Sequence, residues 1–482
     1  MTTIATPFHT GCYIGGGWRA ASGSNRFEVT DPATEEVIET VADASAADVL
    51  EAVAAAHDAL GAWAATPPRR RGEILRRAFE LMIERTDELA RLMVMENGKA
   101  LPDARAEIAY AAEFFRWFSE EAVRNVGEIV NAPAGTNKIL VLRQPIGVAF
   151  LITPWNFPAA MLTRKIGPAL AAGTTVVCKP AKETPLSALA IAAILDEAGV
   201  PPGVVNVVPT SRPGLLTDAA LADERVRKLS FTGSTEVGRM LLEKASARVI
   251  SSSMELGGNA PFVIFADANL DDAVAGAMLA KMRNGGEACT AANRFYVEAP
   301  IADEFVARLS AEMSGLRMGN GLEEGVQLGP LVNEDSRDKV ARLVESALVA
   351  GAHATTGGSR PSGRGYFYPA TVLDRVAPGS EILGTEIFGP VAPIVTFHSE
   401  KEAIELANDT IFGLVSYVYT GDLARGLRVS EALETGMVGL NRGLVSDPSA
   451  PFGGVKQSGL GREGGHEGMS EYLETKYIAC SW

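Results

Sequence analysis

Cys289 has the setting of a nucleophile. It follows Arg283-Asn-Gly-Gly-Glu-Ala, so a glycine pair sets it on a bend among polar neighbours. The other three of the four cysteines, Cys12, Cys178 and Cys480, read as buried small hydrophobes, Cys178 within a β-rich run. A thiolate that attacks a carbonyl needs donors for the oxyanion and a base for the later hydrolysis. The five histidines lie outside every motif, so a carboxylate has to serve as base. Glu255, beside the glycine pair of Met254-Glu-Leu-Gly-Gly-Asn-Ala-Pro261, is the candidate. Taken singly, each residue has a plainer reading: a structural thiol and a solvated glutamate.

Phe231-Thr-Gly-Ser-Thr-Glu-Val-Gly238 follows a β-rich run and opens a helical one. Amides at such a helix start can receive a pyrophosphate. The glycines are spaced GxxxxG rather than GxGxxG, so an ordinary strand-to-helix turn fits the spacing equally well. Thr153-Pro-Trp-Asn-Phe-Pro158 ends another β-rich run.

These segments need a scaffold. Apolar β-rich runs at 147–153, 173–179, 204–209 and 228–232 alternate with helical patterns at 158–172 and 185–198. Such alternation implies parallel βαβ units in a doubly wound sheet. A second series starts at 260–265, runs through helical stretches at 270–284 and 304–316, and returns to strands at 392–397 and 415–419. Residues 46–97 and 104–126 are helical in pattern, 127–142 alternates like a hairpin, and 471–478 reads as a lone strand. The fold class is α/β, with two such domains in tandem.

The 482 residues suffice for two to four structural units with their own cores. A net charge of −15 argues against a nucleic-acid partner. The one basic run, Arg69-Arg70-Arg71, reads as a solvated helix start. No apolar stretch is long enough for a bilayer, no signal peptide is read, and the cysteine usage suits a reducing cytoplasm. The scattered histidines argue against a metal site.

Taken together, PWNFP, FTGS, ELGGNAP, the Gly-x-x-Cys turn, Glu386-Ile-Phe-Gly-Pro390 and Pro451-Phe-Gly-Gly resemble the NAD(P)-dependent aldehyde dehydrogenase superfamily, in order and in spacing. The likeness runs from Asp31-Pro-Ala to Gly459-Leu-Gly-Arg-Glu463. Within the superfamily, 153–165, 228–238 and 456–464 read most like the group acting on succinate semialdehyde. The resemblance implies a Rossmann-like cofactor domain (1–122 and 142–253), a second α/β catalytic domain (254–446), and a small β oligomerisation unit (123–141 and 447–482). A homo-oligomer, dimer or tetramer, is expected.

By that resemblance Cys289 is the nucleophile, Asn156 and the Cys289 amide hold the oxyanion, and Glu255 activates the hydrolytic water. Lys165 and Glu463 match a proton exit route or, equally, a structural ion pair. Lys179 and Glu386 are expected on the two riboses, with Phe388 against the nicotinamide end. Gly233, Ser234 and Gly238 are expected at the pyrophosphate, and Thr153, Pro154 and Trp155 along the cleft. Relatives selective for NAD usually carry glutamate three residues after this lysine; here it is Lys182. An ammonium attracts a 2′-phosphate. With Arg212 near the adenine, NADP is expected to be preferred, with NAD as the alternative.

Arg164 and Arg283 match positions where the succinate-semialdehyde group carries arginine, and Ser446 matches its carboxylate-binding serine. Phe157 and Phe452 are expected to wall the methylene chain. The chain departs from that group at three places. Ala291 replaces a second cysteine, so no disulfide switch is expected. Glu287 stands where glutamine is frequent. Arg442 adds a charge that suits longer acids such as glutarate semialdehyde.

Overall fold

The computed structural model describes residues 9–481. One eight-stranded sheet runs in the order Gly17–Arg19, Cys12–Ile14, Val205–Val207, Thr175–Lys179, Val148–Ile152, Val226–Thr232, Ser251–Glu255, Gly459–Leu460. Its five central strands are parallel, and both edges add antiparallel pieces. The chain order reverses between Val148–Ile152 and Val226–Thr232. The crevice beyond the carboxyl ends of two such strands is where open α/β sheets take ligands.

Val148–Ile152 is buried throughout, as a central parallel strand must be, and its five apolar side chains made it legible. The helix Pro158–Ala172 that follows starts with Pro158, whose missing N–H costs nothing there. It ends on Gly173 at φ 92°, the left-handed cap that glycine adopts freely. Ser251–Glu255, with three serines, carries no β signal of its own. Pairing with Val226–Thr232 makes it a strand and sets Glu255 beside Thr232.

A seven-stranded sheet forms the second layer system, with Ala260–Ile264, Ala292–Glu298, Val391–Phe397 and Val415–Tyr419 at its centre. A third sheet is antiparallel: Leu473–Cys480 pairs with Lys138–Pro145, which pairs with Glu128–Asn131. The expected hairpin and lone strand thus meet each other. Gly459–Leu460, within 447–482, joins the first sheet instead.

Two local expectations change. Arg71 is buried rather than solvated. Its Nε donates to the Ala171 carbonyl at 3.1 Å, serving the C-terminal end of Pro158–Ala172. Cys480 is partly exposed at the end of its strand, while Cys12 and Cys178 are buried.

Candidate active site

The turn before Cys289 is built from three consecutive left-handed residues, Asn284, Gly285 and Gly286, at φ 53°, 60° and 80°. A Cβ on Gly286 would lie 2.2 Å from the Gly389 carbonyl, so this turn can pack against the Glu386–Pro390 motif only as glycine. Asn284 ties the turn down: its Nδ2 donates to the carbonyls of Asn156 (2.9 Å) and Glu287 (3.0 Å).

Asn156 follows the central strand across the switch point. Its own Nδ2 donates to the Glu287 carbonyl at 3.1 Å, which fixes the amide plane two residues before Cys289. The amide has a second hydrogen to offer. The loop is held from behind by Lys99 and Glu107, a buried pair. The Lys99 ammonium donates to the Asn156 carbonyl at 2.8 Å, and Glu107 accepts the amides of Ala159 and Ala160 at the start of the following helix. Neither residue, nor Asn284, was expected from sequence. Asn284 sits inside a motif, but Lys99 and Glu107 carry no pattern that marks them.

Pro154, Trp155, Asn156, Gly233, Ser234, Glu255, Cys289, Glu386 and Phe388 line one cleft of about 840 Å³, counting its open mouth. Met161, Ser336 and Lys339 also line it. Thr153 is buried just below. Cys289 is partly exposed in this cleft. Burial pushes its thiol up to about 12; Arg164 and Arg283 pull the other way, and the carboxylates of Glu255 and Glu386 add to the rise. A thiol held this way needs a base before it can attack.

Glu255 is buried, and among the described residues neither carboxylate oxygen has a hydrogen-bond partner. Gly453 of the PFGG segment leaves the room: a Cβ there would sit 3.0 Å from Glu255 Oε1. Burial and the charge of Glu463 raise the Glu255 pKa well above the carboxylate range, against Arg164 and Lys165. An unpartnered carboxyl with a raised pKa in a cleft is suited to general-base work near neutral pH.

Lys165 and Glu463 meet in a buried ion pair, and Glu463 also takes Arg164 at 2.5 Å. Burial opposes the charge on Glu463, but the two cations outweigh it and hold its pKa down. Arg164 is enclosed, with its guanidinium 4.2 Å from the Phe452 ring centroid. Phe452 in turn exchanges backbone hydrogen bonds with Glu463. The acid that faces Arg164 thus belongs to the protein itself.

Arg283 is placed differently. It is partly exposed, lies over the rings of Phe157 (4.7 Å) and Tyr110 (5.7 Å), and touches Ser446 Oγ at 3.4 Å. Among the described residues no carboxylate pairs with it. Arg442 is exposed, its Nε donating to the Leu444 carbonyl. Glu287 turns inward, where it accepts the Val332 amide and burial raises its pKa to about 8.

The donor set fits a dinucleotide. Lys179 is buried, and among the described residues only the Pro180 carbonyl accepts from it, at 3.1 Å, which leaves two ammonium hydrogens unspent. Burial pulls its pKa down to about 8. Glu386 accepts the Gly258 amide with Oε1 at 2.9 Å, and Phe388 meets Trp155 edge to face. Gly233 and Ser234 open the helix Thr235–Ser246, whose Ser234 caps the Val237 amide, while Gly238 is pressed against Leu256. Lys182 is exposed, 4.0 Å from Glu183, and Arg212 lies 3.5 Å from Asp43.

Comparison with known proteins gives the family. The model of the aldehyde dehydrogenase family matches residues 18–478. A succinate-semialdehyde dehydrogenase of Paenarthrobacter nicotinovorans is 55% identical over 92% of this chain and 99% of its own. A glutarate-semialdehyde dehydrogenase of Pseudomonas putida is 49% identical over 98% of both. The crystal structure of an NADP-dependent enzyme from Escherichia coli superposes with a TM-score of 0.97 at 47% identity, covering 98% of each chain. The protein is a member of the aldehyde dehydrogenase family.

Proposed function

We propose that this enzyme oxidises succinate semialdehyde to succinate. The observation that carries the reading is Arg283: a partly exposed guanidinium near the cleft, bonded to Ser446 and, among the described residues, in no ion pair, with Asp103 acting on it only at longer range. A charge so placed is costly unless a ligand pairs with it. The substrate carboxylate is that ligand, and Phe157 and Phe452 flank the methylene chain. Arg164, already paired with Glu463, adds positive potential rather than a free fork.

Cys289 gives its thiol proton to Glu255 as its sulfur attacks the aldehyde carbon, and Asn156 Nδ2 with the Cys289 N–H receives the oxyanion. A nicotinamide held in this cleft beside Glu386 and Phe388 would supply the hydride acceptor for the oxidation. Glu255 takes a proton from the water that hydrolyses the resulting thioester, which frees succinate and restores the thiol. Lys165 and Glu463 carry the proton onward. Lys179 and Glu386 hold the riboses, and Gly233 and Ser234 offer amides to the pyrophosphate. Lys182 gives NADP the preference over NAD. Arg212 adds charge at the adenine end, although Asp43 competes for it.

The substrate is tested by Arg283→Ala. Its KM for succinate semialdehyde is expected to rise far more than its KM for butanal; equal changes would contradict the reading. Glutarate semialdehyde is a second substrate on this reading. Arg442, Ser446 and Phe452 line one open cavity of about 1000 Å³, with room for a longer acid.

The cofactor domain is taken as 1–122 with 142–253, and the catalytic domain as 254–446. The antiparallel sheet at 123–141 and in 447–482 serves a homo-oligomer, dimer or tetramer. It exposes Ile129, Tyr477 and Ile478, apolar surface that a partner would cover. A cytoplasmic location accords with four free cysteines. Among the described residues no helix is long and apolar enough to cross a membrane.

A further inference from the structure

We infer that Tyr110 is a third ligand of the substrate carboxylate, donating its hydroxyl hydrogen beside Arg283 and Ser446. The inference rests on the acidic-aldehyde reading and names a specificity residue that reading does not contain. Tyr110 lies on the helix Leu101–Glu121, one turn after Glu107, so both face the loop that carries Asn156. Phe114, one turn further, packs edge to face on the Tyr110 ring at 4.9 Å and fixes its plane. The Arg283 guanidinium lies over the same ring.

The Tyr110 hydroxyl is buried, and among the described residues no acceptor takes its hydrogen. The groups that act on it electrostatically are Arg164, Arg283 and Cys289. An arginine offers only donors. The phenolic hydrogen is therefore left without an acceptor between two cations. A buried donor left in that state keeps its desolvation penalty uncompensated. An anionic oxygen arriving at Arg283 supplies the missing acceptor. Burial also raises the Tyr110 pKa, which keeps the hydroxyl a neutral donor.

The test is Tyr110→Phe, which removes only the oxygen and keeps the ring that packs on Phe114 and under Arg283. Steady-state kinetics of the full chain with succinate semialdehyde and with butanal are compared, together with inhibition by succinate. The KM for succinate semialdehyde and the Ki for succinate are expected to rise roughly tenfold or more, as for a lost hydrogen bond to a charged group. The KM for butanal, which has no carboxylate to lose, changes far less. An unchanged KM for the acid, or an equal rise for butanal, overturns the role of Tyr110 and leaves the acidic-aldehyde reading standing. A wild-type enzyme that fails to prefer the acid overturns both.

Discussion

Lys165 and Glu463 are 298 residues apart in the sequence, yet Glu463 holds both Lys165 and its helix neighbour Arg164, the latter at 2.5 Å. Three charged side chains thus close on one another behind Glu255, while Arg283 is left with a serine hydroxyl as its polar partner. The two arginines that look equivalent in sequence are not equivalent in the fold: one is neutralised by the protein, the other awaits an anion.

The pH dependence follows from this arrangement. Glu255 must be ionised to accept a proton, and its pKa is raised first by burial and then by Glu463. Thioester hydrolysis is therefore expected to fall as pH drops through a value above the ordinary carboxylate range. Glu463→Gln removes the negative charge and leaves Arg164 and Lys165, both of which favour ionised Glu255. The acidic limb of the kcat profile should move to lower pH, even if the plateau rate falls. A limb that stays in place, or moves upward, would show that Glu463 does not act on the base.

Cys289→Ala should abolish turnover and leave cofactor binding intact, because Cys289 lines the cleft without shaping its cofactor contacts. The check is loss of reduced-cofactor formation alongside an unchanged Kd for NADP by calorimetry. Turnover at the wild-type rate in this variant would end the assignment of the nucleophile.

Much of this site was legible in the sequence because its residues sit on turns with strong local signatures. Asn156, Gly233, Glu255, Cys289 and Glu386 come from five separate segments, and all line one cleft. The central strands announced themselves by continuous apolar runs. Ser251–Glu255 did not, because three serines have weak β propensity and become a strand only through the neighbour. The helix Glu334–Val349 had a readable start in Asn333, which caps the Ser336 amide, and was missed. Arg71, Lys99 and Glu107 were illegible for another reason. A buried charge looks like a surface charge until its partner is known, and their partners lie up to 100 residues away.

Glu107→Ala is expected to be severe. It strands the buried Lys99 ammonium and removes the acceptor of two helix N-terminal amides. Breaking one side of a buried pair costs about 3–5 kcal/mol. Urea denaturation should show a loss of that size, with a fall in kcat as the Asn156 loop loosens. A loss under about 1 kcal/mol, in the range of exposed pairs, would mean the pair is not structural.

Cofactor choice is tested at Lys182. Its exposed ammonium is free to reach a 2′-phosphate, and a charge-assisted hydrogen bond of about 1.5–3 kcal/mol corresponds to roughly tenfold or more in affinity. Lys182→Ala should raise the KM for NADP by that factor and leave the KM for NAD unchanged. A parallel change in both would make Lys182 a general surface charge.

The most direct measurement is kcat/KM of the wild-type enzyme for succinate semialdehyde and for butanal under the same conditions. A carboxylate held at Arg283 and Ser446 predicts a preference for the acid of about a hundredfold or more, on the order of 3 kcal/mol. Near-equal values would contradict the carboxylate site and leave an aldehyde dehydrogenase without acid selectivity.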